Sequence, residues 1–392
     1  MLVYQRTDSA LLSAVTFAIS YLPWLVGGPV LAALADRYPR HRVLIASDVV
    51  RALLVALMAV PGMPLAVLLV LLLAVSVCAP PFEAARSALM ADVLEGDRYA
   101  VATSLTGITL QLSQLVGFLL GGVLLTEFSA STALLVDAAT FGVSALWLSR
   151  GLQRRAPPVR DADDGARSIW RDAGSGLRFL AGSPSLRAIV GLLWIASLFG
   201  NGPEGIAAPL GTQLDGTAAS TGLLLAATPA GTVLGGLLVG RWCPPALRER
   251  LLAPLALLWM VCLLLAGLVP AVLDRGVPAL VAVLALFFLG GIGAAFTIPL
   301  NVAFVQAVPS AYRGRAFGVA IAGLSGVQGL GVLLAGLGAE QYAPGTVVAL
   351  FGGLGLVAVA VPLLGLRRLR ADMVGDAAHV APGPTAEGRS VA

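Results

Sequence analysis

An acid and three arginines crowd one short stretch, Ala35-Asp36-Arg37-Tyr38-Pro39-Arg40-His41-Arg42. It joins two long apolar runs, residues 10–35 and 43–60. A carboxylate in such a loop can cap the positive N-terminus of a facing helix and pair with an arginine. Both contacts break when helices move apart, which is the chemistry of a gate. The competing reading is topological: the arginines only hold the loop on one side of a membrane. Asp48 and Arg51 lie three residues apart just inside the next run. They either extend the gate or form an ordinary pair within one helix.

Glu204 is the sharpest acid inside an apolar run, in Phe199-Gly200-Asn201-Gly202-Pro203-Glu204-Gly205. A charged carboxylate at the centre of a bilayer costs about 2.5–3.5 kcal/mol on insertion scales, so it needs a cavity or a partner. Protonation removes the charge, which is the physical basis for coupling to protons. The adjacent Gly and Pro can break the helix and free backbone groups for a substrate. The competing reading puts Glu204 near the outer water boundary. Asp137 is the second proton-coupling candidate, set against a carboxylate that merely bonds neighbouring helices. Gln111, Gln114, Asn201, Asn301 and Gln328 are uncharged polar residues in apolar runs. They either line a substrate path or make interhelical hydrogen bonds. Gly318, Gly323, Gly326, Gly329 and Gly331 give one segment a small-residue surface for close packing or sliding.

Other patterns carry no chemistry. Gly290-Gly291-Ile292-Gly293 has no strand before it, so it does not read as a nucleotide loop. Asp161-Ala162-Asp163 lies in a Pro-containing polar stretch and reads as a solvated charge run. Cys78, Cys243 and Cys262 are scattered, with no disulfide framework or metal-ligand spacing. His41 and His379 have no catalytic partners in sequence. No cofactor, no metal and no enzymatic activity are expected, and any pumping must draw on an ion gradient or a partner.

These residues must be positioned by membrane helices. Of 392 residues, 58% are hydrophobic and 12% charged, against roughly a quarter charged in soluble domains. All 25 basic residues are arginines, most of them between the apolar runs or in the tail. Their placement argues for membrane topology and against a nucleic-acid partner. A span needs about 20 apolar residues. Such runs fall at 10–35, 43–61, 64–90, 99–126, 130–149, 186–211, 217–240, 250–270, 278–302, 316–338 and 346–366, eleven in all. Arginines cluster after the odd-numbered runs, and the alternate loops carry only Arg275. The arginine-rich face is therefore expected to be cytoplasmic, with the C-terminus inside and the N-terminus outside.

The expected organisation is an N-terminal bundle of five helices (1–150), a cytoplasmic linker (151–185), a C-terminal bundle of six helices (186–370) and a disordered cytoplasmic tail (371–392). Ile169, Trp170, Leu177, Phe179 and Leu180 suit a short helix on the membrane surface. The two halves resemble each other weakly: Pro81 to Arg98 matches Pro299 to Arg315, and Ala32 to Arg37 matches Gly236 to Arg241. In the second half a helix precedes the matched one; in the first none does.

The 36–42 loop resembles the loop between helices two and three of the major facilitator superfamily, Gly-x-x-x-Asp-Arg-x-Gly-Arg-Arg/Lys, with Ala32 and Pro39 at the glycine positions. Pro80-Pro81-Phe82-Glu83-Ala84-Ala85-Arg86, Gly117-Phe118-Leu119-Leu120-Gly121-Gly122 and Val136-Asp137-Ala138-Ala139-Thr140-Phe141 are similar to its drug- and siderophore-exporter branch. The resemblance covers essentially the whole chain. It implies an all-α membrane protein of two pseudo-symmetric bundles, a twelve-helix fold here lacking its first helix. It implies a cytoplasmic gate of Asp36, Arg37, Arg40, Arg42, Asp48, Arg51, Glu83 and Arg86, and packing glycines Gly117, Gly121 and Gly122.

The resulting expectation is a secondary active transporter in the cell membrane, effluxing a small amphipathic molecule by proton-coupled antiport and alternating access. Its partners are the substrate, protons or another ion, and the lipid bilayer; it is expected to be a monomer. The alternatives are uptake, or a truncated or repurposed membrane protein that does not transport.

Overall fold

The computed structural model describes residues 2–27, 38–94, 97–152, 169–214, 217–309 and 313–379. Every regular element among them is helical. A short α1 (Leu2–Thr7) leads into α2 (Ala10–Leu22), which continues through a wide turn at Pro23–Gly27. Then follow α3 (Arg40–Met58), α4 (Leu65–Val77), α5 (Ala79–Val93), α6 (Asp97–Glu127) and α7 (Ala130–Gly151). Within the stretch expected as a linker lies α8 (Ile169–Gly182); then come α9 (Pro184–Asn201), a tight 3₁₀ segment at Gly202–Ile206 and α10 (Ala207–Leu214). The chain continues as α11 (Ala218–Leu237), α12 (Pro245–Val272), α13 (Val277–Ala294), α14 (Thr297–Ala307), α15 (Arg313–Ala339) and α16 (Pro344–His379).

Local chemistry marks the starts. Ser9, Ser129, Ser183 and Thr217 each accept a hydrogen bond from a backbone N–H in the first turn of the helix that follows. These caps satisfy donors that a helix start leaves open. Proline stands at the first or second helical position of α5, α9, α12 and α13, where its missing N–H costs nothing.

Nine helices among the described residues are long and apolar enough to cross a membrane, where eleven were expected. The described part of α2 is a shorter apolar helix. In α3, Arg40, Arg42, Asp48 and Arg51 lower the mean hydropathy. Three spans are single apolar runs crossed by an interruption: α4–α5, α9–α10 and α13–α14. A helix, α8, stands where a surface helix was expected, with Leu180 buried and Phe179 packed on the core. α16 runs on to His379, into the stretch expected to be a tail; its Ala-containing sequence lets an established helix propagate.

The described core is uneven. Both large clusters of buried apolar residues lie after the linker, around Leu192, Ala256, Met260 and Phe296, and around Ile206, Leu210, Val283 and Val348. Before the linker a small cluster centres on Leu44 and Ala85. In lipid, apolar contact alone does not bring helices together, so close packing must come from small residues. Gly231 and Gly235 of α11 seat against α13, and Gly267 of α12 against Ala349 of α16. The N-terminal helices meet the C-terminal ones mainly where α2 runs along α15 and α6 along α11.

Candidate functional site

The most chemically distinctive feature is the break between α9 and α10. Pro203 has no N–H to donate. The glycines on either side admit neighbours where a side chain would stand: Gly202 lies against Phe351, and Gly205 against Val332 and Ala14. Three segments thereby hold the break in place from the outside. Its acid, Glu204, lines a narrow space with Thr228, Trp259 and Phe287 whose free volume is about 20 Å³, room for about one water. Trp259 also packs at a tilt against Phe296, which fixes that wall.

Among the described residues Glu204 accepts one side-chain hydrogen bond, from across the molecule. The Tyr21 hydroxyl donates to its Oε2 at 3.4 Å, from 183 residues earlier in the chain. The length exceeds the usual O–H···O range of about 2.5–3.0 Å, so the contact is weak. Tyr21 reaches it because α2 lies on the glycine stripe of α15. Gly336 meets Ala14, Gly329 meets Tyr21 and Gly326 meets Leu25. Gly323 and Gly331 of the same stripe take Trp194 and Leu198 of α9. The glycines are therefore a packing track that brings α2 and α9 to one helix, while a side chain at Gly318 would meet open space.

The arginine loop resolves into separate contacts. Asp36 and Arg37 lie outside the described residues. Arg40 pairs with Asp92 and donates to the Ala88 carbonyl at 2.9 Å, which ties the start of α3 to the end of α5. Arg42 is exposed. Glu83 and Arg86 pair within α5 at 2.6 Å. Asp48 and Arg51 form a third group deeper in α3, 2% and 9% exposed and 3.7 Å apart. Asp48 accepts from the Ser144 hydroxyl of α7 at 2.6 Å. The Arg51 guanidinium lies over the rings of Phe82, at 4.9 Å, and Phe141, at 5.6 Å. A buried pair with a hydrogen bond and two ring faces joins α3, α5 and α7; Arg40 is tied separately to Asp92.

Of the remaining candidates, Asp137 is exposed on α7 and does not line the Glu204 cleft. Gln114 and Asn301 are exposed, and Gln111, Asn201 and Gln328 are half-buried. Gly122 meets Gly222 of α11, backbone to backbone, whereas side chains at Gly117 and Gly121 would meet open space. Sequence reasoning missed Tyr21, Asp92, Ser144, Thr228, Trp259 and Gly222. A lone tyrosine or serine in an apolar run gives no signal of its own, because its partner is set by packing far away in sequence.

The Major Facilitator Superfamily model matches residues 4–203 and 205–387. The chain is 28% identical over 336 residues to the uncharacterized MFS-type transporter YfiS of Bacillus subtilis (strain 168), covering 81% of this chain and 76% of that one. Its fold is similar to that of the nucleoside transporter NupG, with a TM-score of 0.69 at 15% identity over 91% of each chain. It is also similar to a structure from work on proton-dependent oligopeptide transporters, with a TM-score of 0.69 at 12% identity over 94% of this chain and 93% of that one.

Proposed function

The chain belongs to the major facilitator superfamily, and from that premise we propose a proton-coupled exporter of a small amphipathic molecule that works by alternating access. Transport across a membrane, without enzymatic chemistry, follows from the family. The proton, the outward direction and the substrate class are the proposal. So are a plasma-membrane location, an arginine-rich face turned to the cytoplasm and a monomeric state.

The observation that carries the reading is the position of Glu204. It is a carboxylate in a broken apolar helix, beside a space for about one water, with a hydroxyl donor supplied by a helix 183 residues earlier in the chain. Broken helices of this kind form substrate and ion sites in secondary transporters. In the conformer described, Tyr21 donates to Glu204. When α2 moves away from α9, that donor is lost, and binding a proton removes the charge instead. Proton loading and conformation are then linked, because each state offers Glu204 a different partner. One structure of similar fold comes from work on transporters called proton-dependent.

The two bundles are proposed to rock about the α2–α15 and α6–α11 contacts. The 36–42 loop serves as the cytoplasmic gate, with Arg40 anchored on Asp92. A groove lined by Thr16, Met58, Leu68, Leu72, Gly121 and Leu134 lies among the N-terminal helices and encloses about 1420 Å³, open space included.

The test is transport by purified protein in proteoliposomes with an imposed proton gradient, read with a panel of fluorescent amphipathic dyes. Glu204→Gln is expected to abolish gradient-driven flux while leaving downhill dye exchange. Unchanged driven flux removes Glu204 from the mechanism, and the sign of the flux decides export against uptake.

A further inference from the structure

At the end of the molecule opposite the arginine loops, Glu340 sits directly after the C-terminus of α15. A carboxylate there is at the unfavourable end of its own helix dipole. Its contacts lie across the molecule, 331 and 329 residues away. Glu340 Oε1 accepts from the Ser9 hydroxyl at 2.6 Å and from the Leu11 backbone N–H at 2.8 Å. Ser9 is the N-cap of α2, and its own oxygen accepts from the Leu12 N–H at 3.1 Å. The acid at the wrong end of one helix is thus bound to the right end of another.

The local backbone is shaped for this contact. Asp8 adopts φ +52, in the left-handed region that non-glycine residues seldom enter. That turn reverses the chain between α1 and α2. The Ser9 N–H then points at the Thr7 hydroxyl, 3.3 Å away. Gln213 and Gly345 make another polar contact on this face, at 2.8 Å, but both belong to the C-terminal helices. The Glu340 contact instead joins the first long helix to one of the last.

We propose that Glu340, with Ser9 and the Leu11 N–H, is a latch that holds the face opposite the arginine loops closed, and that it must release for that face to open. This concerns conformational control rather than the proton or the substrate, so it stands or falls apart from the role of Glu204. The Leu11 N–H first, and then the Ser9 hydroxyl, hold the Glu340 carboxyl below the usual carboxylate range. The other titratable or charged groups at this end of the packed elements are Tyr4 and Arg6 of α1, Asp8 of the turn and Tyr342 before α16. Arg6 donates to the Met63 carbonyl, and among the described residues Glu340 is in no ion pair. A group whose value is lowered keeps its contact above that value and loses it as pH falls through it. The latch is therefore formed at neutral pH and fails only in acid.

The experiment uses the full chain with Cys78, Cys243 and Cys262 replaced by alanine. Spin labels are placed on that same face at Phe128 and Asp274, both exposed. Distances between them in lipid are read by double electron–electron resonance. A surface charge at a helix N-terminus is a modest contact, so Glu340→Ala is expected to raise the open-to-closed ratio about threefold. Glu340→Gln, which keeps an acceptor oxygen without the charge, should fall between. Ser9→Gly removes the hydroxyl but keeps a residue tolerated at an N-cap; it should shift the ratio the same way and serves if Glu340→Ala fails to fold. A lower melting temperature with unchanged distances overturns the latch and leaves Glu340 a plain helix cap. Unchanged distances in both Glu340→Ala and Ser9→Gly overturn it as well.

Discussion

Gly222 of α11 faces Gly122 of α6 with nothing but backbone between the two helices. A Cβ at Gly222 would lie 2.7 Å from the Gly122 Cα and 2.7 Å from the Phe118 carbonyl oxygen. Ordinary contact begins at 3.4 Å, so the helices must part there by about 0.7 Å. No side chain can rotate away, since both obstructing atoms belong to the backbone. Overpacking of this kind costs about 1–3 kcal/mol, paid only in the conformer that has the contact. If alternating access separates α6 from α11 at this end, Gly222→Ala moves the population toward the separated state by about fivefold or more. Gly122→Ala should act in the same direction but less, since its nearest neighbour would stand at 3.0 Å. Gly117→Ala, where a Cβ meets open space, gives the baseline, including any gain in helix propensity. The assay is the Phe128–Asp274 distance distribution in lipid together with the melting temperature in detergent. The reasoning fails if the three variants do not rank Gly222 above Gly122 above Gly117, or if Gly222→Ala matches Gly117→Ala in both measurements.

Tyr21→Phe keeps the ring on Gly329 and deletes the donor to Glu204. Because the bond is long, driven dye flux is expected to fall by only about threefold, a fraction of a charged hydrogen bond; undiminished flux would detach Tyr21 from coupling. Asp48→Ala leaves Arg51 buried without its partner, so a loss of about 3–5 kcal/mol is expected, read as a fall in melting temperature. In a double-mutant cycle, Asp48→Ala/Arg51→Leu should recover much of that loss. Strict additivity would mean that the 3.7 Å pair is not an interacting unit. Asp92→Asn should loosen the start of α3 from α5, raising protease cleavage at the start of α3 with little change in melting temperature, since this pair is partly exposed. Equal cleavage would show that Arg40 is held by the Ala88 carbonyl alone.

Much of the architecture was legible because its signal is local. A bilayer requires long apolar runs, and residues 64–90, 130–149 and 250–270 reappear as helical spans with ends shifted by a few residues. The helix at 169–182 was legible from apolar residues at helical spacing in a polar stretch. The gate candidates were legible as residue types but not as partners. Asp48 and Arg51 stood out as a pair, yet Ser144 and Phe82, which complete their site, did so only in space. Gly117, Gly121 and Gly122 read alike in sequence. One residue is a turn of about 100° around a helix, and that rotation separates a glycine in open space from one pressed on a neighbouring backbone.

By itself, then, the sequence determined that this is a polytopic helical membrane protein, where its helices run, and that Glu204 is an acid in need of a reason. Hydropathy and helix-breaking residues act within one segment, and lipid enforces them whatever the rest of the chain does. Only the tertiary structure decided what Glu204, Glu340 and Gly222 face. Tyr21, Ser9 and Gly122 are 100 to more than 300 residues away from those partners. Which faces meet depends on how whole helices settle against one another, a property of the packed molecule rather than of any stretch of its sequence.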